Sequence, residues 1–222
     1  MTRPGPVALV GGGEWHDACT FDAGLLEASG QREVLVLPTA AAYEHPERAV
    51  EQATRWFAGL GGRVRALMVL ARPDAEDEAN AEAIRSARFL YLGGGSPLHL
   101  RSVLKDSPCW QAVLEAWQAG AVVAGSSAGA MVITDPMVDP RGGAFTLGLG
   151  LIEQLAIVPH FDSWSPDKAH RTVSLAAAGL PVVGIDEQTA LIRDPAGAWR
   201  VEGAGRVTVH QDGAVAGLDA LP

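Results

Sequence analysis

Ala121-Val122-Val123-Ala124-Gly125-Ser126-Ser127-Ala128-Gly129 is the stretch that decides the fold. The apolar half reads as a buried strand, and the glycine-flanked half as a tight turn that re-emerges as a helix. G-x-S-x-G between a strand and a helix is the pattern of a nucleophile elbow, a strained turn that lifts one serine hydroxyl clear of the sheet edge. The exposed hydroxyl here is that of Ser127. Small residues on either side let the backbone bend sharply and let a substrate come close. The same letters also fit a plain glycine-rich turn, so the neighbouring elements have to arbitrate.

Upstream, short apolar runs alternate with helical patterns. Val7-Ala8-Leu9-Val10 is stopped by Gly11-Gly12-Gly13, and Val34-Leu35-Val36-Leu37 by Pro38. Pro46 suits the first turn of a helix in which Val50, Ala53, Thr54 and Phe57 keep helical spacing, with Gly59 at its exit. A third strand is predicted over 64–70, and an acidic, alanine-rich helix over 77–87. Phe89-Leu90-Tyr91-Leu92 is a fourth strand, closed by Gly93-Gly94-Gly95 and followed by a helix over 108–118. Continuously apolar short strands separated by helices indicate a parallel sheet covered on both faces. With right-handed crossovers this gives an open, doubly wound α/β fold. After the elbow come a turn-rich loop at 139–143, a strand Ala156-Ile157-Val158, a helix over 166–178 and a strand ending in Ile185. The tail, 197–217, reads as antiparallel hairpin structure at the sheet edge. No linker or repeat divides the chain, so residues 1–222 are expected to form a single domain.

Composition narrows the function classes. The chain has 222 residues, 48% hydrophobic and 19% charged, which is globular and large enough for a sizeable core. A net charge of −9 argues against nucleic acid as a partner, because phosphate binding needs a basic surface. Cys19 and Cys109 lack metal-like spacing and read as reduced thiols of a cytoplasmic protein. The stretch Met1 to Pro6 lacks the apolar core of a signal peptide. No segment approaches the ~18 consecutive apolar residues of a spanning helix, so no membrane partner is expected.

A serine hydroxyl needs a base to take its proton and a third group to orient that base. In an open α/β sheet these groups sit at the carboxyl ends of strands. That criterion sorts the six histidines. His160 follows the strand ending at Val158. His16 follows the first glycine run and can line the same cleft, and His99 lies just past the second. His45 precedes a helix, His170 lies within one, and His210 ends a tail strand. For the acid, Glu187 and Asp186 both follow the strand ending at Ile185; adjacent strand residues point to opposite faces, so only one of them can face the histidine. Asp135 and Asp139, beside prolines after the elbow, stay open as rivals or as turn residues. The tetrahedral oxyanion needs N–H donors. Ala128, just after the nucleophile, supplies one, and the Gly93–Gly95 loop suits the second. Neither that loop nor Gly11–Gly13 matches a nucleotide-binding glycine pattern.

Four blocks then occur in order: Tyr91-Leu92-Gly93-Gly94-Gly95, Gly125-Ser126-Ser127-Ala128-Gly129-Ala130, Pro159-His160-Phe161 and Gly184-Ile185-Asp186-Glu187-Gln188-Thr189-Ala190. The set resembles the dipeptidase E and cyanophycinase family of serine peptidases, which has a class I glutamine amidotransferase-like fold. The likeness runs from about Val7 to Val209. It implies Ser127 as nucleophile, His160 as base and Glu187 as the acid, with oxyanion donors at Ala128 and at Gly94 or Gly95. It implies no metal or organic cofactor. Ser96 and His99 stand where members often carry Asn, Asp or Gln and then Gln, and are the substrate-contact candidates of that loop. Cyanophycinases carry an arginine cluster soon after the histidine, for an aspartate-and-arginine polymer. This chain has Phe161-Asp162-Ser163-Trp164-Ser165-Pro166-Asp167 there instead. Arg171 can match the arginine that dipeptidase E-like enzymes use for a substrate's aspartyl carboxylate, a pairing that suits a guanidinium fork. Trp164 can line a substrate pocket or an interface.

The resulting expectation is a serine peptidase acting on short peptides, as a monomer or a homodimer. One alternative is an α/β-hydrolase-type esterase, whose triad order Ser, acid, His fits Ser127, Asp186 and His210. Another is a non-catalytic binding protein on the same fold. A cysteine-dependent glutamine amidotransferase is disfavoured, since the elbow carries serine.

Overall fold

The computed structural model describes residues 3–222, so the first two residues of the stretch read as lacking a signal peptide lie outside it. Its first half runs β1 (Val7–Val10), α1 (Phe21–Ala28), β2 (Glu33–Leu37), α2 (Pro46–Gly59), β3 (Arg63–Ala66), α3 (Arg72–Ala75), α4 (Glu78–Arg85), β4 (Phe89–Leu92), α5 (Pro97–Leu104), α6 (Pro108–Gln118), β5 (Val122–Ser126) and α7 (Ala128–Ile133). The second half is mostly strand. It comprises β6 (Thr134–Asp135), β7 (Met137–Val138), β8 (Phe145–Thr146), β9 (Ile152–Glu153), β10 (Ala156–Val158), α8 (Pro166–Ser174), β11 (Val182–Ile185), β12 (Thr189–Arg193), β13 (Trp199–Gly203), β14 (Val207–Gln211) and β15 (Ala214–Ala216).

A seven-stranded sheet in the order β13-β12-β1-β5-β4-β2-β3 forms the centre. The strands from β1 to β3 in that order pair in parallel, whereas β12 runs antiparallel to β1, and β13 to β12. The apolar strands are buried on both faces, and their alternation divides the core. Leu9, Leu35, Leu37, Leu90, Leu92 and Val123 point one way, towards the helices after β3. Val10, Val34, Val36, Phe89, Tyr91 and Val122 point the other way, towards Phe21 and Leu25 of α1 and Phe57 of α2. A period of two on a sheet sandwiched between helices produces this arrangement.

Some elements differ from the sequence reading. The third strand stops at Ala66 rather than Leu70, because β3 is the sheet's edge and its Arg63 and Arg65 are exposed. Charged residues are a common way to keep such an edge from pairing further. The helix after Ser165 ends at Ser174, short of Ala178. Helices α1 and α5 were not anticipated. A glycine at position 24 weakens the local signal of α1, while α5 does carry a legible start, Ser96 as N-cap and Pro97 in the first turn. The tail is not one hairpin. β13 completes the large sheet, while β14 and β15 join β10 and β11 in a separate four-stranded sheet of order β10-β11-β14-β15. Both cysteines are buried free thiols, and burial is the first cause pushing each pKa up to about 11. No helix among the described residues is long and apolar enough to cross a membrane.

Helix α1 also buries a carboxyl group. Asp22 is fully buried; Oδ2 accepts a hydrogen bond from Trp56 Nε1 at 2.9 Å, and Oδ1 has no partner among the described residues. Burial, opposed by the Trp56 bond and reinforced by the charge of Glu14, pushes the pKa from 3.8 up to about 7. Between those two values the folded chain holds a proton that the unfolded chain has released. Stability therefore falls as pH rises through that window and levels off above it. Asp22→Asn removes this titration. Its stability relative to wild type should climb from about pH 4 to pH 7 by on the order of 2–4 kcal/mol, with no gain below the window. Urea unfolding at several pH values measures it, and a pH-independent difference would exclude this account.

Candidate active site

Parallel pairing in register sets three strand ends side by side. Val10 is opposite Ser126, and Leu92 is opposite Gly125. The loops that leave these ends are therefore neighbours: Gly11–Gly13 after β1, Gly93–Gly95 after β4, and the turn at Ser127 after β5. Ser127 has φ 49° and ψ −107°, the strained conformation expected of an elbow. Its N–H donates to Val10 O at 2.9 Å, and its carbonyl accepts from Met131 N at 3.0 Å. The flanking glycines are needed for space. A Cβ at Gly125 would lie 2.6 Å from Gly129 C, and one at Gly129 would lie 2.3 Å from Leu92 O. Helix α7 thus sits directly on the ends of β4 and β5.

The small sheet brings the other groups. β10 and β11 pair in parallel with Val158 opposite Gly184, so the residues that follow them, His160 and Glu187, leave from the same edge. His160 Nε2 is 2.8 Å from Ser127 Oγ, and His160 Nδ1 is 2.7 Å from Glu187 Oε1. The tautomer consistent with both contacts has Nδ1–H donating to Glu187 and Nε2 accepting from Ser127. Glu187 is itself held, because its backbone N–H donates to Asp162 Oδ1 at 3.1 Å. Phe161 lies against Gly184, where a Cβ would meet the ring at 2.3 Å. The Pro-His-Phe and Gly-Ile-Asp-Glu blocks are thus packed face to face.

The main chain of the first glycine run joins the two sheets. His160 N–H donates to Gly11 O at 2.7 Å, and Gln188 N–H donates to Gly12 O at 2.7 Å. Gly12 has φ +116°, and a Cβ there would lie 2.1 Å from His160 Cε1. This run is a platform for the imidazole rather than an open ligand cradle.

The chain matches peptidase family S51 over residues 7–198. It belongs to that family of serine peptidases. A crystallised peptidase from an acI-B1 actinobacterium superposes with a TM-score of 0.84 at 32% identity, covering 94% of this chain and 91% of that one. Among curated relatives, the cyanophycinase of Synechococcus elongatus is 29% identical over 166 residues, 69% of this chain and 51% of that protein. The cyanophycinase of Trichormus variabilis is 28% identical over 189 residues, 79% of this chain and 62% of that protein. The chain thus spans about half the length of the first of these relatives.

The S51 chain brings Ser127, His160 and Glu187 together, and other candidates elsewhere. Asp186 Oδ2 accepts from Arg206 N at 2.9 Å, and His210 lies on β14 with Nε2 buried and unpartnered among the described residues. The order Ser127, Asp186, His210 is therefore not assembled. Asp139 pairs with Arg141, and Asp135 Oδ1 accepts from Gly148 N. His16 contacts Gln52, His45 contacts Glu47, and His170 contacts Ser174. Ser96 caps α5 by accepting from His99 N, and His99 Nε2 is 2.9 Å from Leu70 O with its ring against Tyr43 at 5.0 Å. Both side chains are engaged in holding the loop after β4. Lys168 Nζ stands 3.7 Å over the Trp164 ring. Arg171 is exposed on α8, its Cδ 2.9 Å from where a Gly143 Cβ would be. Neither Trp164 nor Arg171 hydrogen-bonds a residue of the Ser127 cluster among the described residues. Gly94 N–H donates to Glu14 Oε1 at 3.2 Å, so of the two glycines proposed as donors Gly95 has its N–H unengaged among the described residues.

Sequence reasoning passed over Glu14, Gly12 and Asp162. The rule that chemistry gathers at strand carboxyl ends, applied to acids only after the elbow, would have found Glu14, just past the first strand, had it been applied to the acids of the earlier strands as well. Gly12→Ala tests the platform. The added methyl must displace the imidazole, and displacements of ~1 Å at a reacting group cost about 10²-fold in rate. Labelling of Ser127 by a fluorophosphonate should slow by about that factor in a protein that still melts cooperatively. An unchanged rate would mean that the loop yields without moving His160.

Proposed function

We propose that the protein is a serine peptidase that hydrolyses short peptides through an acyl-enzyme on Ser127. The observation that carries this reading is the continuous hydrogen-bond chain from Ser127 Oγ through His160 to Glu187 Oε1, at 2.8 and 2.7 Å. In the proposed reaction Ser127 Oγ attacks the scissile carbonyl carbon while His160 Nε2 accepts the hydroxyl proton. Glu187 holds Nδ1–H and stabilises the imidazolium that forms. The oxyanion is met by the N–H groups of Ala128 and Gly95, neither of which is engaged among the described residues. His160 then protonates the departing amine, and water, deprotonated by the same imidazole, hydrolyses the ester to release the acid and restore Ser127.

Substrate selection belongs to the same proposal. The relatives named cyanophycinase match this chain over only part of their length, and here Asp162 and Asp167 stand in the segment after His160 without an arginine. A short peptide fits that segment better than an arginine-bearing polymer. Arg171, exposed and without an ion-pair partner among the described residues, is the group available for an acidic substrate side chain.

Ser127→Ala and His160→Ala should each lower turnover of a dipeptide panel by at least about 10³-fold, whereas His210→Ala should stay within about threefold of wild type. Steady-state rates across dipeptides that vary in the first residue measure this. Full activity in Ser127→Ala would overturn the peptidase reading. The absence of both hydrolysis and fluorophosphonate labelling in wild type would favour a binding protein.

A further inference from the structure

Glu14 stands where three strand ends meet. Its Oε1 accepts from Gly94 N–H at 3.2 Å in the loop after β4, and its Oε2 accepts from Ser126 Oγ at 2.8 Å at the end of β5. The residue itself leaves the end of β1, and its carbonyl is fixed by Gln52 Nε2 of α2 at 3.2 Å. The Cβ position at Gly94 is 3.2 Å from Glu14 Oε1 and 3.6 Å from Ser127 Cβ, so the carboxylate flanks the nucleophile on the side of the glycine loop. Ser126 is fully buried and Glu14 half-buried. No cation pairs with Glu14 within ion-pair distance among the described residues; its charge is met by an N–H and an O–H donor instead.

We infer that Glu14 is a positioning residue of the oxyanion site, an inference that rests on the serine-peptidase reading. Three consecutive glycines have no side chain to limit their backbone, and Gly95 sits at φ +132°. By taking the N–H of Gly94, Glu14 fixes the peptide plane before that of the Gly95 N–H, while Ser96 N–H, donating to Ala40 O at 2.8 Å, fixes the plane after it, so the N–H between them is held in direction from both sides. By taking the hydroxyl of Ser126, it fixes that loop relative to the strand that carries Ser127. One carboxylate thus sets the distance between nucleophile and oxyanion donor before substrate arrives. Without it, the loop would have to be ordered in the transition state, at a cost in conformational entropy.

The oxyanion exists in the transition state and not in bound substrate, so the effect should fall on kcat and leave KM nearly unchanged. Loss of a single oxyanion donor typically costs about 10²–10³ in kcat. Glu14→Ala, which misplaces the donor, should cost at least ~10-fold in kcat with KM within about threefold. A peptide aldehyde that forms a tetrahedral adduct on Ser127 should lose affinity in parallel with kcat/KM. Glu14→Gln can accept from Gly94 with its carbonyl and donate to Ser126 Oγ with its amide, so it should restore kcat to within about fivefold of wild type. Ser126→Ala keeps one of the two ties and should lie between wild type and Glu14→Ala.

Unchanged or raised kcat in Glu14→Ala would overturn the inference, as would a loss confined to KM or a Gln variant no better than Ala. If Glu14→Ala does not give a cooperative thermal melt, Ser126→Ala decides: an unchanged kcat there rejects the positioning role. A wild-type protein without Ser127-dependent hydrolysis would bring down the peptidase reading itself, and this inference with it. Hydrolysis that survives intact in the Glu14 and Ser126 variants would bring down the positioning role alone.

Discussion

Two backbone carbonyls hold the site together. Gly11 O accepts from His160 N–H and Gly12 O from Gln188 N–H, each at 2.7 Å, while Gly11 N–H donates to Thr189 O at 2.9 Å. The first two bonds tie the segments that leave the small sheet, and carry His160 and Glu187, to the large sheet, which carries Ser127; the third, to Thr189 of β12, extends the pairing of β1 with β12. The approach is close enough to exclude a side chain at Gly11 or Gly12. A Cβ at Gly11 would lie 2.1 Å from Asp186 O, and one at Gly12 would lie 2.1 Å from His160 Cε1. A contact between main chains has no rotamers to lose, and it positions the imidazole by geometry that no surface side chain can relax. The Ser, His, Glu order along the chain follows from this topology. β5 belongs to the first sheet, and β10 and β11, which come later, belong to the second.

The price is local strain. Ser127, His160 and Gln188 have φ of 49°, 51° and 54°, and Trp15, just past the platform loop, has φ 63°. Residues of this kind in sparsely populated backbone regions each cost on the order of 1–3 kcal/mol and persist only where surrounding structure over-determines them. Here the surroundings are the fully buried strands β1, β4 and β5, whose ladder hydrogen bonds and two-sided packing leave the loops no alternative register. The strongest part of the core therefore lies directly beneath the least comfortable backbone.

That division explains what could be read from the sequence. The strands β1, β2, β4 and β5 were legible because a strand buried on both faces is a continuous apolar run ended by glycine or proline, and the elbow was legible because its conformation demands glycine on either side. His160 stood out by a rule about strand ends that applies equally to both sheets; the same rule left Glu187 and Asp186 open, and the family resemblance pointed to Glu187. The antiparallel edge strands of the tail were legible but their partners were not: β13 pairs with β12 of the large sheet and β14 with β11 of the small one, and such long-range pairing leaves no local mark. Helix α1 was missed because three of its four buried residues, Phe21, Leu25 and Leu26, do not outweigh an internal glycine in local propensity. The role of Glu14 depends on which neighbours its side chain reaches across the sheet, and local pattern does not encode that.

Electrostatics gives Glu14 and Glu187 different tasks from the same functional group. In the proposed reaction positive charge develops on His160 while negative charge develops on the substrate oxygen. Glu187, in direct contact with Nδ1, stabilises the first. Any carboxylate beside the nucleophile opposes the second, since like charges at short range in a partly shielded site repel by more than they do in water. Glu14 lies on that side, yet its two oxygens already accept from Gly94 N–H and Ser126 Oγ. Donors that point at a carboxylate draw its charge away from the neighbouring space, and the N–H groups of Gly95 and Ala128, unengaged among the described residues, are left over for the oxyanion of the proposed reaction. An acid is tolerable next to an oxyanion site when its charge is absorbed by donors the oxyanion does not use, here Ser126 Oγ and the N–H of Gly94, and this requires the glycine loop to have an N–H to spare. A run of three glycines, with no side chain shielding any of its amides, meets that requirement.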